Sequence, residues 1–226
     1  MRRRGGQFVS FLFLLIILAC GGGGGGGGGD SITSADYAYL YDHNASALGG
    51  YTVRWGSSTV SVSANDFPEA QAAINRWNSA SSGSLGFTFT GGSANITVRW
   101  ANLSGVCGVT YWWYTSAGYI VRAEVYINRD QSGCLSGLAA TLTHEAAHGS
   151  GYFGHDSEGI MGPTSNGATN ITGRQGRFFR LLYSMPPGTD IRGYLKLKKE
   201  AKPSKYDPSG SRIYKEVSYR WARRAR

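Results

Sequence analysis

Residues 144–155 read HEAAHGSGYFGH, and three of the four histidines in the 226-residue chain fall within this stretch. His144 and His148 are four apart, so on a helix their rings leave one face about a turn from each other and can share a metal ion. Glu145 follows the first histidine, near enough to take a proton from a metal-activated water without ligating. Gly151 lets the chain leave the helix and reverse, which brings a third ligand to the open side of the metal. That ligand is His155, the next histidine, or Asp156 beside it, since carboxylates also bind zinc. Three neutral imidazoles would leave a zinc ion its full charge and acidify a bound water to a pKa of roughly 7. The chemistry predicted is hydrolysis with Glu145 as general base. His43, alone near the N-terminus, is read as incidental.

His144, Glu145, His148 and Gly151 fall in register with H-E-x-x-H-x-x-G-x-x-H, and in this the sequence resembles the metzincin clan of zinc proteases. Ile160-Met161-Gly162-Pro163 looks like the methionine turn of that clan, which would make Met161 the apolar floor under the metal. Pro163 is similar to the matrixin-like branch. The likeness covers roughly residues 50–187. Counted from Gly151, the third histidine belongs at Gly154, and His155 comes one residue late. A one-residue insertion, absorbed by the backbone freedom of Gly154, is the simplest account.

The resemblance implies one catalytic Zn2+, a protein or peptide substrate and a monomer; a structural Ca2+ is compatible with it but nothing indicates one. Substrate would lie extended along an edge strand above the cleft, here Gly108, Val109, Thr110, Tyr111, Trp112 and Trp113. Trp112 and Trp113 serve equally well as core residues. The rival reading is an inactive protein of the same fold that binds without cleaving. Matrixins carry a prodomain cysteine that blocks the zinc. The twenty or so residues after the glycine run contain no cysteine, so latency by that route is not expected.

The elements that must position these groups are legible in outline. Alternation marks strands over 52–55, 59–63, 86–90, 94–100, 106–114 and 119–128. Asp66-Phe67-Pro68-Glu69 looks like the start of a helix, with Asp66 as cap, and Phe67, Ala70, Ile74 and Trp77 form its apolar face. Further helices are expected over 135–149 and 172–184. By resemblance the fold is α+β: a twisted, mostly parallel sheet with an antiparallel edge strand, an N-terminal helix, the active-site helix, the methionine turn and a C-terminal helix.

The net charge of +9 is concentrated at the ends. Three arginines stand at positions 2–4 and twelve basic residues at 192–226, whereas residues 30–189 carry eight basic and ten acidic groups, a balance of −2. A nucleic-acid-binding core would carry its positive charge on the fold, so this class is excluded. Arg2, Arg3 and Arg4 precede an apolar run over 8–19. At ~1.5 Å per residue that run reaches about 18 Å against a hydrocarbon core of roughly 30 Å, so it reads as an export signal. Ile17-Leu18-Ala19-Cys20 resembles the bacterial lipobox. This implies a lipid on Cys20 and a membrane-anchored protein of the cell envelope, and Gly21 favours the outer membrane or cell surface.

Nine glycines at 21–29 form a tether with a reach of roughly 16 Å. With Cys20 assigned to lipid, Cys107 and Cys134 are left as an even pair in an exported chain and are expected to form a disulfide, contributing roughly 3.5 kcal/mol. The organisation expected is signal peptide 1–20, tether and extension 21–49, protease domain 50–188 and basic extension 189–226. That last segment is either a solvated extension or a contact for an anionic surface.

Overall fold

The computed structural model describes residues 31–195 and the backbone of 213–221. The expected signal peptide, Cys20 and the glycine run lie outside the described residues. No described helix is long and apolar enough to cross a membrane.

The architecture is α+β. Five strands, β1 (Thr59–Ser63), β2 (Gly86–Phe89), β3 (Ile96–Ala101), β4 (Val106–Tyr114) and β5 (Ile120–Asn128), lie in the order β2-β1-β3-β5-β4. All their pairings are parallel except β4 with β5, which is antiparallel, so β4 stands at the outer side of these five. The sheet does not stop there. A short β6 (Thr164–Ser165) and the C-terminal β7 (Ile213–Trp221) extend it, with β7 antiparallel along the outer side of β4 and parallel to β6. The strand expected to carry substrate is therefore flanked on both sides, because the chain returns to pair with it. Part of the basic extension is a strand of the sheet.

Helix α3 (Leu138–Gly149) packs against β4 and β5, and α2 (Ala70–Ala80) packs against α3. Residues 140–149 of α3 are all buried, as an Ala-rich helix in the middle of a domain must be. Two bonds fix its position: the Thr143 hydroxyl donates to the Ala73 carbonyl at 2.8 Å, and the Trp77 indole donates to the Thr143 carbonyl at 2.7 Å. Gly149 lets the helix approach the sheet, since a Cβ there would meet Ile96 at 3.2 Å. The core includes fully buried Trp77, Trp112, Phe178 and Phe179, each contributing roughly 1.5–3 kcal/mol of burial.

Several boundaries differ from the sequence reading, for local reasons. Helix α2 begins at Ala70 and not at Asp66, because buried Phe67, packed on Trp100, enters through a tight turn closed by Phe67 N–H to Ala64 C=O. Residues 52–55 form no strand and contribute a single bridge at Arg54. Helix α3 starts three residues late, after Gly137 at φ 80°. The disulfide joins Cys107 to Cys134, Cα atoms 5.7 Å apart, and so links the start of β4 to the loop before α3.

The largest difference lies at the N-terminal side. The compact unit begins at Ile32, and residues 34–43 form a helix, α1, that the sequence left within a flexible extension. Tyr39 and Leu40 are in the core. Arg177 of α4 (Gly173–Tyr183) bonds to Asp36 at 3.0 Å and ties α1 to that helix.

Candidate metal centre

His144 and His148 leave one side of α3 with ring centroids 4.6 Å apart. The Nδ1–H of His144 donates to the Ile160 carbonyl and that of His148 to the Tyr152 carbonyl, each at 2.6 Å. A carbonyl can only accept, so Nδ1 carries the hydrogen in both rings and both Nε2 atoms present lone pairs. These two Nε2 atoms stand 2.9 Å apart. Two lone pairs at that distance repel; a cation against which both are directed converts the repulsion into ligation. A proton is a poor substitute at neutral pH. Burial, then His155, pushes the His144 imidazole down to about 3, and burial, then His144 and His155, holds His148 well below its ordinary value. The rings are thus neutral donors, the form a metal requires.

His155 completes the cluster. Its ring centroid lies 5.3 Å from that of His144 and 5.1 Å from that of His148, and one ligand atom from each of the three falls within 4.8 Å of the others. His155 is reached through two glycines in the left-handed region, Gly151 at φ 109° and Gly154 at φ 113°. A side chain at Gly151 would also meet the Val53 carbonyl at 2.9 Å. Gly154 likewise adopts a conformation in which only glycine is at ease.

Asp156 is directed elsewhere. Its carboxylate accepts from the Tyr39 hydroxyl at 2.5 Å and from Gln175 Nε2 at 3.2 Å, while its N–H donates to Met161 C=O at 2.8 Å. Burial pushes the Asp156 carboxyl up, but the bonds from Tyr39, Gln175 and Ser157 outweigh it and hold the group below its ordinary value. Of the two alternatives for the third ligand, the cluster contains His155, and Asp156 fastens the loop behind it.

Glu145 is fully buried beneath β4. Its Oε2 accepts from the Thr110 hydroxyl at 2.5 Å, and its Oε1 receives no hydrogen bond among the described residues. Burial pushes the carboxyl up to about 8, with the Thr110 bond holding part of that shift back. A carboxyl group that titrates near neutrality beside a histidine of the cluster suits proton transfer.

Of the other sequence candidates, Met161 is fully buried at the end of the 3-10 turn Gly159–Met161, the turn whose Ile160 carbonyl orients His144. Gly108 and Thr110 face Glu145. Trp112 is a core residue, stacked on Phe153 at 4.4 Å. Trp113 stands on the opposite face of the sheet under the Arg122 guanidinium, 4.6 Å from its ring centroid. There it lines, with Val109 and Tyr111, a cavity of about 540 Å3 remote from the histidines. Among the described residues lining that cavity the carboxylate is Glu124, which is engaged by Arg122 and Tyr126.

Four supporting residues escaped the sequence reading. Asn44 donates to the Val53 and Gly151 carbonyls at 2.6 and 2.7 Å and accepts from Val53 N–H at 2.8 Å, clamping the turn after α3. His43, read as incidental, lies 3.2 Å from the His155 carbonyl, and its own carbonyl accepts from Phe153 N–H. Tyr39 and Gln175 hold Asp156. Only Gln175 had a visible signal, the Thr-x-x-Gln capping box at 172–175.

No protein-family model matches this chain, and comparison with curated proteins gives no match.

Proposed function

We propose that this protein is a zinc-dependent endopeptidase of the metzincin type, close to the matrixin-like branch, with His144, His148 and His155 as ligands and Glu145 as general base. The observation that carries the proposal is the pair of Nε2 lone pairs held 2.9 Å apart by Nδ1–H bonds to carbonyls. That arrangement, with a ligand atom of His155 within 4.8 Å of both, is a donor set that a cation would complete. The neutral three-nitrogen donor set fits zinc, and the buried Oε1 of Glu145 fits a base beside it.

A zinc ion held there supplies Lewis acidity, polarising a peptide carbonyl and making water acidic near neutral pH. Glu145 accepts a proton from the attacking water as its oxygen bonds to the carbonyl carbon, and returns that proton to the amine as the C–N bond breaks. Thr110 orients the carboxylate for both transfers. The basic and apolar N-terminal run and the lipobox resemblance support a membrane-tethered protein of the cell envelope, with Cys20 as the lipidated residue.

Metal analysis of the purified chain should give one zinc per protein, and its absence after gentle purification would remove the basis of the proposal. Glu145→Ala should retain zinc and cleave no unfolded protein; cleavage at the unaltered rate would show that another group is the base.

A further inference from the structure

Strand β7 lies along β4, near the helix that carries His144 and Glu145. It pairs antiparallel with β4 over its whole length, from Val106 opposite Arg220 to Tyr114 opposite Ile213. Thr110 and Gly108, the β4 residues against Glu145, stand opposite Val217 and Tyr219. On its other side β7 pairs parallel with β6, the strand that follows Met161 and the turn orienting His144. One extended segment thus joins the strand above the general base to the segment beyond the methionine. A β-strand offers two edges for backbone pairing, and those of β4 are taken by β5 and β7.

Resting on the peptidase reading, we propose that residues 213–221 are an intramolecular pseudosubstrate: the chain is latent while β7 is paired, and an extended polypeptide reaches the site only by displacing it. The segment has the form that backbone recognition selects, an extended strand supplying one ladder of hydrogen bonds. As part of the same chain it competes at an effective concentration on the order of mM, above the working level of an ordinary free substrate. Latency here needs no cysteine and is reversible, since what must break is a ladder at the outer part of the sheet.

The test uses the full, zinc-loaded chain and the double variant Glu216→Pro, Val217→Pro. Consecutive prolines remove two adjacent amide hydrogens, one of which points to β4 whichever register face is involved. The probe is a fluorescein-labelled synthetic peptide of residues 213–221, followed by polarisation. If β7 occupies its place at least nine-tenths of the time, the variant binds the probe about tenfold or more tightly than the parent. Zinc content and near-UV circular dichroism equal to the parent show that the variant is folded. A variant that loses either is replaced by the parent chain titrated with unlabelled peptide, which should raise cleavage of casein by no amount and lower any residual cleavage. Equal probe binding by folded parent and variant, or binding by neither, overturns the proposal. Casein cleavage by the same pair separates it from the peptidase reading: probe binding gained without cleavage removes the peptidase and leaves the strand exchange standing, whereas equal cleavage by both removes the latency alone.

Discussion

Gly108 and Glu145 are in such close contact that a Cβ at Gly108 would stand 2.6 Å from Oε1 and 2.7 Å from Cγ of the carboxylate side chain. The backbone of β4 is the ceiling against which the Glu145 side chain rests. Neither distance leaves room for a methyl group, so Gly108→Ala must displace Glu145 or the strand. The expected outcome is a chain that binds zinc as before and loses about 100-fold in kcat/KM, the scale of a misplaced general base. Parallel zinc and kinetic measurements check it, and unchanged kinetics would show that Glu145 acts from another position.

The proposed third ligand can be separated from its neighbour. His155→Ala removes one of three nitrogen donors and is expected to weaken zinc binding by at least about 100-fold in a competition titration with a chelator. Asp156→Asn keeps the three histidines and loosens only the bonds from Tyr39 and Gln175. Its zinc affinity should fall by about tenfold at most, in the range of outer partners of a metal site. The opposite order of effects would make Asp156 the ligand.

Glu145 links stability to pH in the metal-free protein. Its folded value is raised to about 8 above an ordinary 4.5. A raised carboxyl favours the folded state fully below the unfolded value, and that advantage is lost as pH rises through the folded one, between about 4.5 and 8. Glu145→Gln, which has no proton to lose, should therefore be more stable than the parent at pH 8 by at least about 1.4 kcal/mol, the equivalent of one unit, with the gap closing toward pH 4.5. Urea unfolding of both chains in chelator reads the difference; a gap that does not vary with pH would refute the linkage.

Asn44 is the expected weak point of the loop. Asn44→Ala leaves the buried Val53 N–H and the Gly151 carbonyl without that partner, at a cost of about 2–3 kcal/mol. Thermal unfolding measures the loss, and zinc affinity should fall with it because Gly151 begins the turn that delivers His155.

What was legible in the sequence followed local rules. His144, Glu145 and His148 are fixed by helical period, and the strand over 106–114 is bounded as its alternation predicts. The backbone freedom expected of Gly154 is found as a positive φ, because that is a property of one residue. Asn44 could not be read in this way, since its partners lie 9 and 107 positions away. Helix α1 was hidden for a related reason: its Tyr-rich sequence lacks a strong apolar stripe, and it is held by Tyr39, Leu40 and the Asp36–Arg177 pair against distant elements. Strand β7 was masked by its charge, because Lys215, Glu216 and Arg220 read as a solvated extension until their backbone is placed beside β4.

The bonds that close the loop around the histidine cluster span most of the domain: Asn44 reaches Gly151 across 107 positions and Tyr39 reaches Asp156 across 117. Contacts of such high contact order form late, after the loop-closure entropy of the intervening chain has been met. The helix bearing His144 and His148 can form early, but the loop bearing His155 is fixed only when the two ends of the domain meet. On the proposed function, zinc would therefore enter a chain that has already folded and act as a final lock rather than as the nucleus around which the protein assembles.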